Sequence, residues 1–241
     1  MKKSANHSGI GLPISVDTLA QAVDKTNEYL VILPNAFKTG GLEFYRILNQ
    51  RNLSGFVGEI FKHAVCSVES TFQPNPHPDG RPDLLDLSNK KAKLYFEAQC
   101  FESETKAPIR KRLAPFKFGG IEIKCTIGSI ENASSMPIGT PRVDQVRGIN
   151  YWAHHVHDCD LLGIYYDFCS KKEGLPQIKG VFFAKIRDAD WHRVSTGDPT
   201  KKKTSNTSLN ARGVAKLYGG LVLYDDSAPY KGMLERLGIS M

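Results

Sequence analysis

The sequence predicts an α/β fold, a central mixed β-sheet flanked by helices. Three observations lead to it. The chain has 241 residues, a hydrophobic content of 41% and no low-complexity linker, which suits one unit with a sizeable core. Apolar residues at helical spacing dominate its first quarter, and short apolar runs of strand length follow. The order is helix, strands, a strand carrying two charges, helix, strand, strand, which suits a mixed sheet with helices on its faces.

Residues 16–50 read as mostly helical, with Asp17 as the N-cap before Thr18-Leu19-Ala20. Residues 41–68 continue in the same way, and Ser54 can cap the helix that contains Phe56, Ile60 and Phe61. Residues 73–82 are proline-rich and read as an extended or turned connection. Two strand-like runs follow, 83–87 and 93–101, then a basic segment, 102–118. A further strand is expected over 121–127, and a helix over 141–155 whose Tyr151 and Trp152 belong to the core or, as the less common case, to a dimer surface. Leu161–Phe168 and Ile178–Ile186 read as strands. A polar, basic stretch covers 197–213, and Val214–Tyr224 plus a short amphipathic tail close the chain.

The chemistry concentrates in two runs. In Gly119-Gly120-Ile121-Glu122-Ile123-Lys124-Cys125-Thr126, side chains alternate faces, so Glu122 and Lys124 point the same way. A charge set in an apolar strand is costly unless a partner or a metal offsets it. In Gly80-Arg81-Pro82-Asp83-Leu84-Leu85-Asp86-Leu87, an acid follows a proline. Asp86 falls on the opposite face from Asp83, and Asp79 stands beside a turn-forming Gly80.

Pro-Asp, a spacer, then Glu-x-Lys resembles the active site of the PD-(D/E)xK nuclease superfamily, to which many Type II restriction endonucleases belong. The match covers short motifs and element order over about residues 50–190. The resemblance implies a Mg²⁺-dependent double-stranded DNA endonuclease with a restriction-endonuclease-like core. Asp83, Glu122 and the backbone carbonyl of Ile123 would bind the metal, and Lys124 would assist the attacking water. Glu59, on the helix before the core, would support them or simply pair with Lys62. A second triad, Asp83/Glu97/Gln99, is also open, because some superfamily members replace the lysine with glutamine. Choosing Glu122 and Lys124 leaves a spacer of 38 residues, which implies that 93–118 is an inserted hairpin or loop. The whole chain, 1–241, then reads as one nuclease unit. It has a helical part over about 1–70, a catalytic core over about 50–190 and a DNA-contacting part over about 191–241.

A formal net charge of +7 favours an acidic partner, nucleic acid first. Lys201, Lys202 and Lys203 suit phosphate contacts, and Asn206, Asn210 and Arg212 carry base-reading chemistry. Arg110 and Arg112 in the basic segment are a second DNA-contacting group. Two-fold symmetric DNA favours a homodimer. His154, His155, His157 and Cys159 lack a second ligand pair at zinc spacing. The five cysteines form no close pairs, no apolar run approaches ~20 residues, and no apolar region follows the basic N-terminus. These features place the expected protein in the cytoplasm of a prokaryotic cell, away from membranes. No G-x-x-x-x-G-K-[ST] loop points to ATP.

Overall fold

In chain order, a computed structural model of the protein contains β1 (Lys2–Lys3), α1 (Val16–Lys38), α2 (Phe44–Ile47), α3 (Gln50–Val68), β2 (Phe72–Pro74) and β3 (Leu84–Asp86). Then come α4 (Lys90–Gln99), α5 (Arg110–Leu113), β4 (Gly120–Thr126), β5 (Trp152–Ala153), β6 (Cys159–Cys169) and β7 (Leu175–Ile186). The chain ends with β8 (Thr207–Ser208), α6 (Ala211–Tyr218), β9 (Leu221–Tyr224) and α7 (Ala228–Arg236). The structure describes residues 1–5, 10–38, 44–48, 50–131, 136–153, 158–169, 174–194 and 207–241.

Seven strands form one mixed sheet in the order β1-β9-β7-β6-β4-β3-β2, with helices on both faces. Only β4 and β6 pair in parallel; the other neighbours are antiparallel. Alternation along β6 explains the two layers. Leu162, Ile164, Tyr166 and Phe168 face the layer of α1 and α3, while Leu161 and Tyr165 face that of α6 and α7. The strands expected over 83–87, 121–127, Leu161–Phe168 and Ile178–Ile186 are all present. Among the described residues, no helix is long and apolar enough to cross a membrane.

Four local expectations are overturned. Residues 93–101 are not a strand: α4 covers most of them, and the Asn89 side chain accepts the Lys91 amide at 2.8 Å to cap it. Ala92, Tyr95, Phe96 and Cys100 then fall on one helical face, where Ala92 is buried and the other three pack with Leu85, Leu113 and Phe116. The 38-residue spacer is therefore a small helical unit with its own apolar cluster, not a hairpin. Residues 141–153 are not a helix either: they run as turns into β5, with Tyr151 buried but Trp152 60% exposed. The cap of α1 is Ser15, whose Oγ accepts the Thr18 amide at 3.0 Å; Asp17 lies inside the first turn and pairs with Lys3 at 2.6 Å. Ser54 lies within α3, and its hydroxyl shares a 2.9 Å hydrogen bond with that of Tyr166.

Two paired carboxylates tie the later elements to the sheet. Asp190 is fully buried, and Lys216 and Arg212 pair with it, the latter at 3.0 Å. Burial pushes its carboxyl up, but the Lys216 ammonium, the Arg187 amide and Arg212 outweigh that and hold it below its ordinary value. Asp225 behaves in the same way: burial raises it, yet Lys179 at 2.8 Å and the Ser227 amide bring it down. A depressed carboxylate stabilises the fold above its unfolded pKa of about 3.9 and loses that contribution as pH falls through the folded value. Melting scans from pH 5 to pH 2 are therefore expected to show a steep fall below pH 4. Asp190→Asn and Asp225→Asn should both flatten it, relative to a parent that starts higher.

Candidate active site

The site forms where β3 stops pairing with β4. Leu84 and Leu85 pair with Ile121 and Gly120, and the preceding Pro82 has no amide hydrogen to extend the ladder. Gly120, at φ +147°, makes this close approach possible, because a Cβ there would lie 1.9 Å from the Leu84 carbonyl oxygen. Asn75 braces the turn: its amide nitrogen donates to the Pro82 and Leu113 carbonyls, each at 3.0 Å, and its backbone N–H donates to the Asp83 carbonyl at 2.9 Å. Beyond the ladder, the Asp83 side chain replaces the missing strand partner. Its Oδ2 accepts the Ile123 amide at 2.8 Å.

Glu122 and Lys124 share a face of β4, and Lys124 Nζ lies 2.6 Å from Glu122 Oε1. Glu122 is almost fully buried (4% exposed), which is tolerable because an ammonium sits beside it. For Lys124, burial favours the neutral amine, but Glu122 and Asp83 outweigh it and raise the pKa, so the group stays charged. Burial, and then the nearby Glu122 charge, push the Asp83 carboxyl up to about 6, against the pull of Lys124, the Ile123 amide and Lys62. Asp83, Glu122 and Lys124 thus meet, as the two sequence motifs predict.

A cavity of about 650 Å³ opens over this edge. Asp83, Ile123 and Lys124 line it on the sheet side, and Ser54, Gly55, Gly58, Glu59 and Lys62 on the α3 side. Those α3 residues share one helical face, and their small members leave the space open. Gly58 lets the helix approach β4, since a Cβ there would stand 3.3 Å from Cys125 Sγ. A Cβ on Gly55 would meet nothing within 4 Å. Gly55→Ala is therefore expected to raise stability by about 0.5–1 kcal/mol, the ordinary helix-interior gain, as read by urea unfolding. Gly55→Leu should keep the helix but fill that wall of the cavity and lower whatever activity the site has.

Glu59 pairs with Lys62 at 2.7 Å and also lines the cavity. Lys62 itself is a site residue that the motif reading treated only as a partner for Glu59. It is largely buried and close enough to lower the Asp83 pKa. The signal was available in α3, where Ser54, Gly55, Gly58, Glu59 and Lys62 repeat at helical spacing. Glu97 and Gln99, the competing pair, are exposed on α4. Asp86 faces away, binding the Ser88 amide at 2.9 Å, and Asp79 pairs with Arg110 at 3.6 Å.

The donor set suits a hard divalent cation. Mg²⁺ takes oxygen ligands, commonly one or two carboxylates with waters completing the shell. Asp83 and Glu122 are two carboxylates close enough that the Glu122 charge raises the Asp83 carboxyl. The Ile123 N–H points to Asp83, and in an extended strand the carbonyl of the same residue points to the same edge. Among the described residues, no group of three or more His, Cys, Asp or Glu gathers as a metal cluster, so carboxylate ligation rests on this pair.

The expected DNA-contacting residues are more scattered. Lys201, Lys202, Lys203 and Asn206 lie outside the described residues, as do His154, His155 and His157. Asn210 caps α6: its Oδ1 accepts the Arg212 and Gly213 amides at 3.0 and 3.1 Å, and its Nδ2 donates to Ala189 and Trp191 carbonyls. Its amide is therefore spent within the fold rather than held out for a base edge. Arg212 pairs with Asp190 and stays largely exposed. Arg110 and Arg112 are exposed on α5. Comparison of the chain with protein-family models, curated proteins and solved structures finds no match.

Proposed function

We propose that this protein is a Mg²⁺-dependent DNA endonuclease, most specifically a Type II restriction enzyme acting as a homodimer on a short duplex site. The observation that carries the reading is the convergence of Asp83, Glu122 and Lys124 at the open edge of β4, with Asp83 bound to the main chain of Ile123. Asp83, Glu122 and the Ile123 carbonyl would hold the ion. When bound, Mg²⁺ would polarise the phosphate and lower the pKa of an attacking water.

The chain's own groups supply the rest. Lys124 Nζ, a donor held charged, orients the water and offsets negative charge that grows on the phosphoryl oxygens. Lys62 adds a second ammonium to the cavity, suited to the flanking phosphate. Glu59 holds Lys62 in place. Water attack on phosphorus breaks the bond to one ester oxygen and leaves a phosphomonoester and a hydroxyl.

A sequenced plasmid incubated with Mg²⁺ or with EDTA tests the proposal, beside Asp83→Asn as the uncharged isostere. Discrete bands that need Mg²⁺ and vanish in the variant support a site-specific endonuclease. Nicking or a smear favours a second reading, a repair or junction nuclease acting on branched or damaged DNA. The exposed Trp152 beside the cavity favours that second reading. Salt-sensitive binding with no cleavage of any substrate would overturn both in favour of a DNA-binding protein.

A further inference from the structure

We infer that Trp152 reads the substrate: its indole stacks on a nucleobase that lies out of the base stack beside the phosphate at Lys124. The inference rests on the nuclease reading of the cavity. Three observations lead to it.

Trp152 lines the same cavity as Asp83 and Lys124, yet it is 60% exposed. A tryptophan carries a large apolar surface that folding normally buries. The other tryptophan, Trp191, is only 5% exposed. The same cavity holds three charged side chains, Glu59, Lys62 and Asp83, beside Lys124, so a wholly apolar protein segment is a poor occupant for it.

The indole is also held on a fixed base. Tyr151 and Ala153, its neighbours on either side, are buried at 0% and 3% exposure. Strand β5 pairs with β8, Trp152 opposite Ser208. Thr207 is anchored in turn by its hydroxyl, which donates to the His192 carbonyl at 2.6 Å, and Leu209 bridges to Trp191. The backbone turns the ring outward while its neighbours hold the strand down, so little conformational freedom is left for a ligand to remove.

The third observation is the company it keeps. Lys62 and Lys124 offer cations to a phosphate, and Trp152 offers a flat π-face in the same cavity. Cations tracking a backbone beside an aromatic platform are the combination that binds unpaired nucleic acid. A base within a duplex shows the grooves only its edges. A face reaches Trp152 from a single strand or flap, or from a base displaced out of a duplex.

Tryptophan fluorescence provides the test, because Trp152 is the exposed emitter and Trp191 the buried one. The protein is titrated in EDTA with a single strand, a flap, a blunt duplex and an abasic strand of equal length. Stacking predicts quenching by strands that carry bases, no quenching by the abasic strand, and no response in Trp152→Phe. Trp152→Ala is expected to bind single strand about 10–100-fold more weakly, with Trp152→Phe close to the parent. An unchanged melting temperature would show that neither variant perturbs the fold. Quenching by strand and flap alone means the substrate brings the unpaired base. Equal quenching by duplex, with 2-aminopurine brightening, means the protein displaces it. Equal quenching by the abasic strand, or unaltered binding by Trp152→Ala, overturns the inference even if the parent cuts DNA with Mg²⁺. Base-dependent quenching by a parent that never cuts would instead sink the nuclease reading and leave Trp152 as a base-binding residue.

Discussion

On the proposed nuclease reading, Lys124→Ala is expected to lower Mg²⁺-dependent cleavage by about 10²–10⁴-fold, the range for losing one positioned donor or proton-handling group. The size follows from what the side chain touches. Its ammonium lies 2.6 Å from Glu122, is raised in pKa by Glu122 and Asp83, and faces the cavity. The variant also leaves Glu122 nearly buried without that cation. Stability should therefore fall as well, by about 3 kcal/mol if the pair behaves as a buried one. The two effects separate experimentally. Lys124→Arg retains the charge, so it should recover most of the stability. The planar guanidinium cannot occupy the same point beside the water, so cleavage should recover far less. Single-turnover cleavage and urea unfolding of the three proteins check this. Equal cleavage by the parent and Lys124→Ala would remove Lys124 from the reaction.

Asp167→Ala is expected to be the most destabilising single substitution, by about 3–5 kcal/mol. Asp167 is fully buried on β6, and both oxygens are heavily used. The Arg142 amide donates to Oδ1 and Oδ2 at 3.0 Å, the Val143 amide to Oδ2 at 3.0 Å, and the Phe168 amide to Oδ1 at 2.8 Å. Tyr230 hydroxyl donates to Oδ2 at 3.2 Å. Alanine would strand three buried amides and a phenol together. For a chain of this length that corresponds to a fall in melting temperature of roughly 6–20 °C. The same amides hold the segment that leads into β5, so Trp152 should lose its fixed position in the variant. Asp167→Asn offers an amide nitrogen where Oδ2 or Oδ1 must accept, so it should recover only part of the loss. A melting point within 2 °C of the parent for Asp167→Ala would refute this account.

The residues at 141–153 also show where local sequence stops being informative. Helical spacing is present there, but the amides of Arg142 and Val143 are claimed by a carboxylate 24 or 25 residues later. No local pattern reports a non-local acceptor. The segment 93–101 failed for a different reason. Leu94-Tyr95-Phe96 has strand-like composition, yet the spacing of Ala92, Tyr95, Phe96 and Cys100 and the Asn89 cap were already in the sequence. Period was the better guide than residue type. The long strands were legible because β6 and β7 are apolar on both faces, each face meeting its own helical layer. At the site, Asp83, Glu122 and Lys124 were legible because charges in apolar runs stand out. Lys62 and Trp152 were not, since a helix lysine beside a glutamate and an aromatic after a polar turn look ordinary until the cavity brings them together.

The parallel pairing of β4 with β6 has a kinetic consequence. An antiparallel hairpin such as β6–β7 closes a short loop and can form early. Joining β4 to β6 must close the whole connection from residue 127 to 158, and joining β3 to β4 must close the helical unit between them. Both closures converge on β4. Asp83 is therefore expected to reach Glu122 and Lys124 late in folding, after the hairpin that supports them. A nascent or partly folded chain carries the residues of the site without the site.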